Sequence, residues 1–280
     1  MTFHHESRFD RALHHLESLK TESRAWGKEH PYRMWTDFDV DPNYKLSWIE
    51  VLNPPPPELS LIIGECIHNL RSTLDNLAFE LALAGNLGKP LPDKVAENSA
   101  FPIFSERKKF VKKRKSLIGC IPPRAQTIIQ DLQPYNRGDG FWRDPLWHLY
   151  ELSNMDKHRL PHVVHVTQLA QAFFVPENLT ADDIEFIAGS IESRAPIARF
   201  PAIDTTGAEV DVQPAPSIGI AFGQQVPRYL RGMAVPMRLS YISDYILTRA
   251  VRPLQPYLFR RPVVQVSQRY CLLRDKSVSI

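Results

Sequence analysis

The stretch Glu58-Leu-Ser-Leu-Ile-Ile-Gly-Glu-Cys-Ile-His-Asn-Leu-Arg-Ser-Thr-Leu-Asp-Asn-Leu-Ala-Phe-Glu-Leu-Ala-Leu-Ala84 decides the fold, because no other segment sustains a helical period for so long. Ile63, Ile67, Leu70, Leu74, Leu77 and Leu81 recur every three or four residues, which at about 100° per residue puts them in one apolar stripe. That stripe has to face a core, so the segment is expected to be a long central helix. Opposite it, Glu65, His68, Arg71, Ser72 and Asp75 share a narrow arc with Leu61 before them and Phe79 and Leu83 after them. Large apolar residues at both ends of a polar arc predict a polar window in a helix packed on most sides. Any chemistry is expected there.

Upstream, Pro54, Pro55, Pro56 and Pro57 form a stiff extended lead into this helix. Before them Tyr44, Leu46 and Trp48 alternate with polar residues, the period of a half-buried strand. Residues 3–26 carry Phe9, Leu13, Leu16 and Leu19 at helical spacing and predict an amphipathic first helix. His4, His5, His14 and His15 lie in it. Adjacent histidines diverge by about 100° on a helix and no third ligand stands at a supporting offset, so they read as a solvated face rather than a metal cluster.

Downstream, residues 85–98 are rich in Gly, Pro and Asn and read as a loop, after which Phe101-Pro-Ile-Phe104 re-enters the core. Arg107, Lys108, Lys109, Lys112, Lys113, Arg114 and Lys115 then make the strongest charge run of the chain, on a basic helix over 105–117 anchored by Phe110 and Leu117. Such a run either meets RNA or DNA phosphates or is simply solvated. A further helix is expected over 122–132, and Arg137-Gly-Asp-Gly140 reads as a turn. Asp144-Pro145 is a helix start, a capping carboxylate followed by proline, for a helix running to about residue 157. Its Asp156 falls on the stripe of Leu149 and Leu152, where an unpaired carboxylate is costly, so a partner is required. Arg71, with His68 or Asp75 beside it, is the expected one. From residue 160 to 222 the texture becomes short β-rich segments between turn residues, an antiparallel sheet. A helix over 234–252 and an edge strand at 263–266 follow.

These elements compose one α+β unit over residues 1–280, a helical bundle around the long central helix packed with an antiparallel β-sheet. Residues 1–158 are its mainly helical part, 159–233 its β part, and 234–258 a helix returning to the bundle. A net charge of +3 from 34 basic and 31 acidic residues makes no global case for nucleic acid and leaves that case to local patches. Cys66, Cys120 and Cys271 stand far apart without a Cys-x-x-Cys pair, which opposes a disulfide framework or zinc ribbon and fits a reducing cytoplasm. No apolar run approaches the roughly 20 residues needed to span a bilayer, so no membrane partner is expected. A Gly-rich phosphate loop, a Gly-x-Ser-x-Gly elbow and His-Glu-x-x-His are all absent, and no cofactor is expected. A metal site from His68, Asp75, Asp156 and His158 is disfavoured, since His68 and Asp75 are two helical turns, about 10 Å, apart.

His68-Asn-Leu-Arg-Ser-Thr-Leu-Asp75, Phe101-Pro-Ile103, Gln133-Pro-Tyr135 and Asp156-Lys-His-Arg159 together resemble a bacterial protein family, frequent in actinobacteria, over residues 58–165. No activity comes with that resemblance. A second resemblance is to HEPN domains, helical modules of defence and toxin systems whose ribonuclease members carry Arg, four to six intervening residues, then His on one helix. Here Arg71 is followed by Ser-Thr-Leu-Asp and then Asn76, an amide that does not exchange protons near neutral pH. The resemblance therefore implies a nucleic-acid or nucleotide binding protein, with metal-independent ribonuclease activity if His68 or His158 supplies the acid and base and Arg71 holds the phosphate. The competing expectation is a non-catalytic, homodimerising interaction protein in which Asp75, Asn76 and Asp156 complete a structural polar network with Arg71.

Overall fold

The computed structural model of the protein describes residues 3–87, 89–158, 164–170, 173–174, 179–187, 190–191, 193–210, 213–214 and 217–258. Helix α1 (His4–Lys28) buries His5, Phe9, Ala12, Leu16, Leu19, Ser23 and Trp26, a series stepping by four and three residues. Helix α2 (Glu58–Gly85) buries the matching series Ile63, Ile67, Leu70, Leu74, Leu77 and Leu81. Two such stripes pack side by side with ridges of one helix in grooves of the other. The pair is antiparallel: His5 meets Glu80 near one end, and His15 meets Glu65 further along. Each fully buried Leu or Ile in this seam contributes about 1.5 to 3 kcal/mol relative to exposure.

Helix α6 (Pro145–His158) and helix α7 (Val235–Tyr245) also pack on α2. Beyond α7 the helix widens into a π turn over Ile246–Val251 before a last helical turn, α8 (Arg252–Leu254). The expected single helix is interrupted here for a physical reason. Pro253 lacks an N–H and its ring crowds the carbonyl of residue 249, so the preceding turn opens. The segment 85–98, expected as a loop, contains a short helix α3 (Asp93–Asn98). Gly85 ends α2 where a Cβ would lie 1.9 Å from the carbonyl oxygen of Cys120, so only glycine lets the helix end approach that main chain.

Helix α4 (Arg107–Ile118) and helix α5 (Pro123–Asp131) precede a 3-10 segment, Pro134–Arg143, that leads into α6. The β part is antiparallel, but its strands are shared out. Strands β1 (Tyr32–Phe38) and β2 (Tyr44–Val51) form a hairpin, and β7 (Arg194–Pro201) and β5 (Glu185–Phe186) extend it in the order β1-β2-β7-β5. Strands β6 (Ser190–Ile191), β3 (Val164–Ala170) and β9 (Ser217–Phe222) pair separately in that order, and β4 (Phe173–Phe174) pairs with β8 (Gln213–Pro214). The expectation of one sheet within 160–222 is thus corrected: part of it is recruited by the N-terminal hairpin. β1 escaped the sequence reading because an edge strand need not alternate strictly. Its Trp35 stands opposite Trp48, the two rings stack 6.2 Å apart, and the Arg194 guanidinium lies 4.7 and 4.5 Å from their centres. The edge strand expected at 263–266 lies outside the described residues.

Candidate functional site

Residues 68–75 of α2 do not form a closed window. Leu61 is 62% and Phe79 38% exposed, so the apolar residues that bracket the polar arc do not seal it. They stand on the solvent side of α2 because α1, α6 and α7 cover its apolar stripe, while Arg71, Ser72, Asp75 and Leu83 between and after them are half-buried.

Within the arc, Arg71 is committed. Its Nε and Nη2 donate to the two Asp75 oxygens at 3.0 and 2.6 Å, and Nη2 also donates to the Phe101 carbonyl at 2.8 Å. Asp75 Oδ1 in turn accepts the Phe101 N–H at 3.0 Å. Both main-chain groups of Phe101, itself 1% exposed, are thereby satisfied from α2. Nη1 of Arg71 is buried and has no hydrogen-bond partner among the described residues. The expected partner Asp156, and the candidate base His158, have side chains outside the described residues. Asp75, expected as a further member, is the partner that is observed. Asn76 sits half-buried on the next position of the helix.

The same main chain is held from a second side. Gln133 Nε2 donates to the carbonyls of Pro102 and Ile129 at 2.8 and 2.9 Å, while its Oε1 accepts the Phe104 N–H at 3.1 Å. The Tyr135 N–H reaches the Phe104 carbonyl at 3.2 Å. Two of the sequence motifs, those of Arg71 and Gln133, therefore converge on the third, Phe101-Pro-Ile103, in the segment that launches α4.

Helix α4 stands on that mount by Phe110, whose ring meets Phe104 at 6.2 Å and Tyr135 at 5.7 Å, and by Ile118 with half-buried Leu117. Arg107, Lys108, Lys109, Lys112, Lys113, Arg114 and Lys115 are all exposed. Lys109 pairs with Glu106 at 2.5 Å, and Arg114 donates to Gln126 at 3.2 Å. The other five have no ion pair among the described residues. On a helix of 3.6 residues per turn, Lys108, Lys112 and Lys115 fall within an arc of about 60° opposite Phe110 and make an outward cationic ridge.

His68 is exposed and belongs to a different place. It lines a groove of about 540 Å³ between α1 and α2 together with Arg8, Arg11, His15, Glu65 and Asn69, and Arg71 is not one of its walls. Arg8 donates to Asn69 at 3.3 Å, and His15 Nδ1 lies 3.0 Å from Glu65. Burial lowers the His15 pKa, and the Glu65 carboxylate offsets part of that. Two imidazoles, a carboxylate and two guanidinium groups on one groove can hold an anion and move a proton. His5 and His15 are buried rather than solvated, a correction to the expectation for α1: each lies on the seam with α2 and is paired to a carboxylate there, His5 with Glu80 and His15 with Glu65. Among the described residues no cluster of three or more His, Cys, Asp or Glu could hold a metal ion.

One further buried group escaped the sequence reading. His148, 3% exposed, donates from Nε2 to the Trp142 carbonyl at 2.7 Å, stacks on Tyr229 and has no partner at Nδ1 among the described residues. Burial pushes its pKa down to about 4. Its place four residues before Leu152, on the buried side of α6, was the available signal. Nearby, Asp144 caps α6 through the Leu146 N–H at 2.9 Å, as expected of Asp-Pro, and also binds Arg137 at 2.6 Å. Cys66 is buried and its thiol is pushed up to about 12 by desolvation, which makes it a poor nucleophile. No family model, curated protein or solved structure matches this chain.

Proposed function

We propose that the protein is a cytosolic nucleic-acid binding protein that engages phosphates through α4. The supporting observation is the ridge of Lys108, Lys112 and Lys115, exposed on a helix whose base is fixed by Phe104, Phe110 and Tyr135. A helix fixed in this way presents its cations in a set geometry, and neutralising phosphates releases counterions from the nucleic acid. Among the described residues no helix is long and apolar enough to cross a membrane, and the buried Cys66 thiol suits the reducing compartment proposed here.

The structural reading of the polar arc is favoured for Arg71 by its bonds to Asp75 and Phe101. A ribonuclease activity would therefore draw on His68 in the α1–α2 groove, with Arg8 and Arg11 in the phosphate-holding role. Filter binding of labelled single-stranded RNA and duplex DNA to the full chain tests the proposal, with His68→Ala and Lys108→Gln/Lys112→Gln/Lys115→Gln beside it. Loss of binding in the lysine variant alone supports the assignment. Equal binding in all three proteins sinks it.

A further inference from the structure

A second groove, of about 700 Å³, lies at the other end of α1, where β9 and α7 rather than α2 complete the lining. Its volume falls in the range typical of small-molecule sites. One wall is the last two turns of α1. Lys20, Ser23, Arg24, Gly27 and Lys28 all line it, stepping by three, four, seven and eight residues from Lys20, so one helical face is turned to the groove. The acids of the same turns, Glu22 and Glu29, stand about 200° and 180° around from Lys20 and are not in the lining. No carboxylate lines the groove among the described residues. Lys20 is paired with Glu17 at 2.7 Å, whereas Arg24, Lys28 and His30 have no ion pair among the described residues.

The floor has the opposite character. Ile218 and Ile220 of β9 with Pro236 and Met237 of α7 are apolar, and Met237 is 66% exposed. The helix and the floor lie close together: a Cβ at Gly27 would sit 3.9 Å from the Ile218 carbonyl oxygen, in ordinary van der Waals contact. His30, on the rim, has φ +50°, a left-handed conformation that costs energy outside glycine, and its ring meets Tyr32 at 6.3 Å. A helix would ordinarily end there with glycine. Here the position holds a ring that can donate or accept, and it lines the groove.

We propose that this groove binds a small organic anion with an apolar chain, its carboxylate or phosphate head held by Arg24, Lys28 and His30 and its chain on Ile218, Ile220 and Met237. Charge complementarity selects the head, and exclusion of water from the β9–α7 floor selects the chain.

The test is calorimetric titration of the full chain with decanoate and with decyl phosphate, both below their micellar concentrations. Saturable binding of one molecule is expected, with the tighter of the two identifying the head group. Decanol, which lacks the charge, and acetate and inorganic phosphate, which lack the chain, should each bind at least tenfold more weakly. Arg24→Gln/Lys28→Gln should weaken binding about tenfold or more, as loss of charge-assisted hydrogen bonds does. His30→Gly separates binding from folding: relief of the positive φ should hold or raise the melting temperature while affinity falls. Unsaturable binding, acetate or phosphate binding as tightly as the chain-bearing ligands, or unchanged affinity in both variants overturns the proposal.

Discussion

Arg71 and Asp75, one turn apart on α2, grip both main-chain polar groups of the same residue, Phe101. A pair within one helix would ordinarily contribute a few tenths of a kcal/mol. This one also satisfies a buried carbonyl and a buried N–H, so its removal leaves those groups without partners.

Arg71→Ala should therefore cost about 2 to 3 kcal/mol, the range for losing charged hydrogen bonds to partly buried groups. Urea unfolding of Arg71→Ala, Asp75→Ala and the double variant measures it, and the double variant should cost clearly less than the sum of the singles. A neutral Arg71→Ala would mean that the guanidinium is not holding residues 101–104.

His5 is fully buried against Glu80, whose other oxygen accepts the His4 N–H at 2.7 Å. Glu80→Ala removes the acceptor from both and should lower stability by about 1 to 3 kcal/mol. Glu80→Gln, which keeps an acceptor, should recover part of the loss. Equal melting temperatures for both variants and the parent would contradict the pairing.

The pH dependence has a definite sign. His148 has a folded pKa of about 4 against an ordinary 6.5, so the unfolded chain takes up its proton first as pH falls. Its contribution to stability is intact above pH 6.5 and is lost between 6.5 and about 4, a span worth about 3 kcal/mol for this one group. The depressed pKa of His15 acts in the same direction. An NMR titration should find the His148 ring neutral at pH 5. A midpoint near 6.5 would contradict its burial against Trp142 and Tyr229.

What could be read in the sequence follows from how local each cause was. The α2 stripe, the α1 stripe and the Asp144 cap are set by neighbours within a few residues, and their elements formed as expected. The polar arc was legible as a set of residues but not as an environment. Whether Leu61 and Phe79 would be covered depended on elements distant in the chain, and helical spacing carries no record of them. Arg71 was matched to Asp156 because a stripe position demanded a partner, and nothing in that pattern showed that Asp75, four residues away, and the Phe101 main chain would hold the guanidinium. The β1 hairpin recruited β7 from residues 194–201, a pairing that no local pattern specifies.

The most direct test of the account is the salt dependence of RNA binding. For a single strand, each phosphate neutralised contributes about 0.7 to the slope of log affinity against log salt concentration. With Lys108, Lys112 and Lys115 each meeting one phosphate, replacing all three by Gln should flatten that slope by about 2 and weaken binding most at low salt. A slope and affinity unchanged in the triple variant, with the fold intact by circular dichroism, would contradict the account and leave α4 a solvated helix.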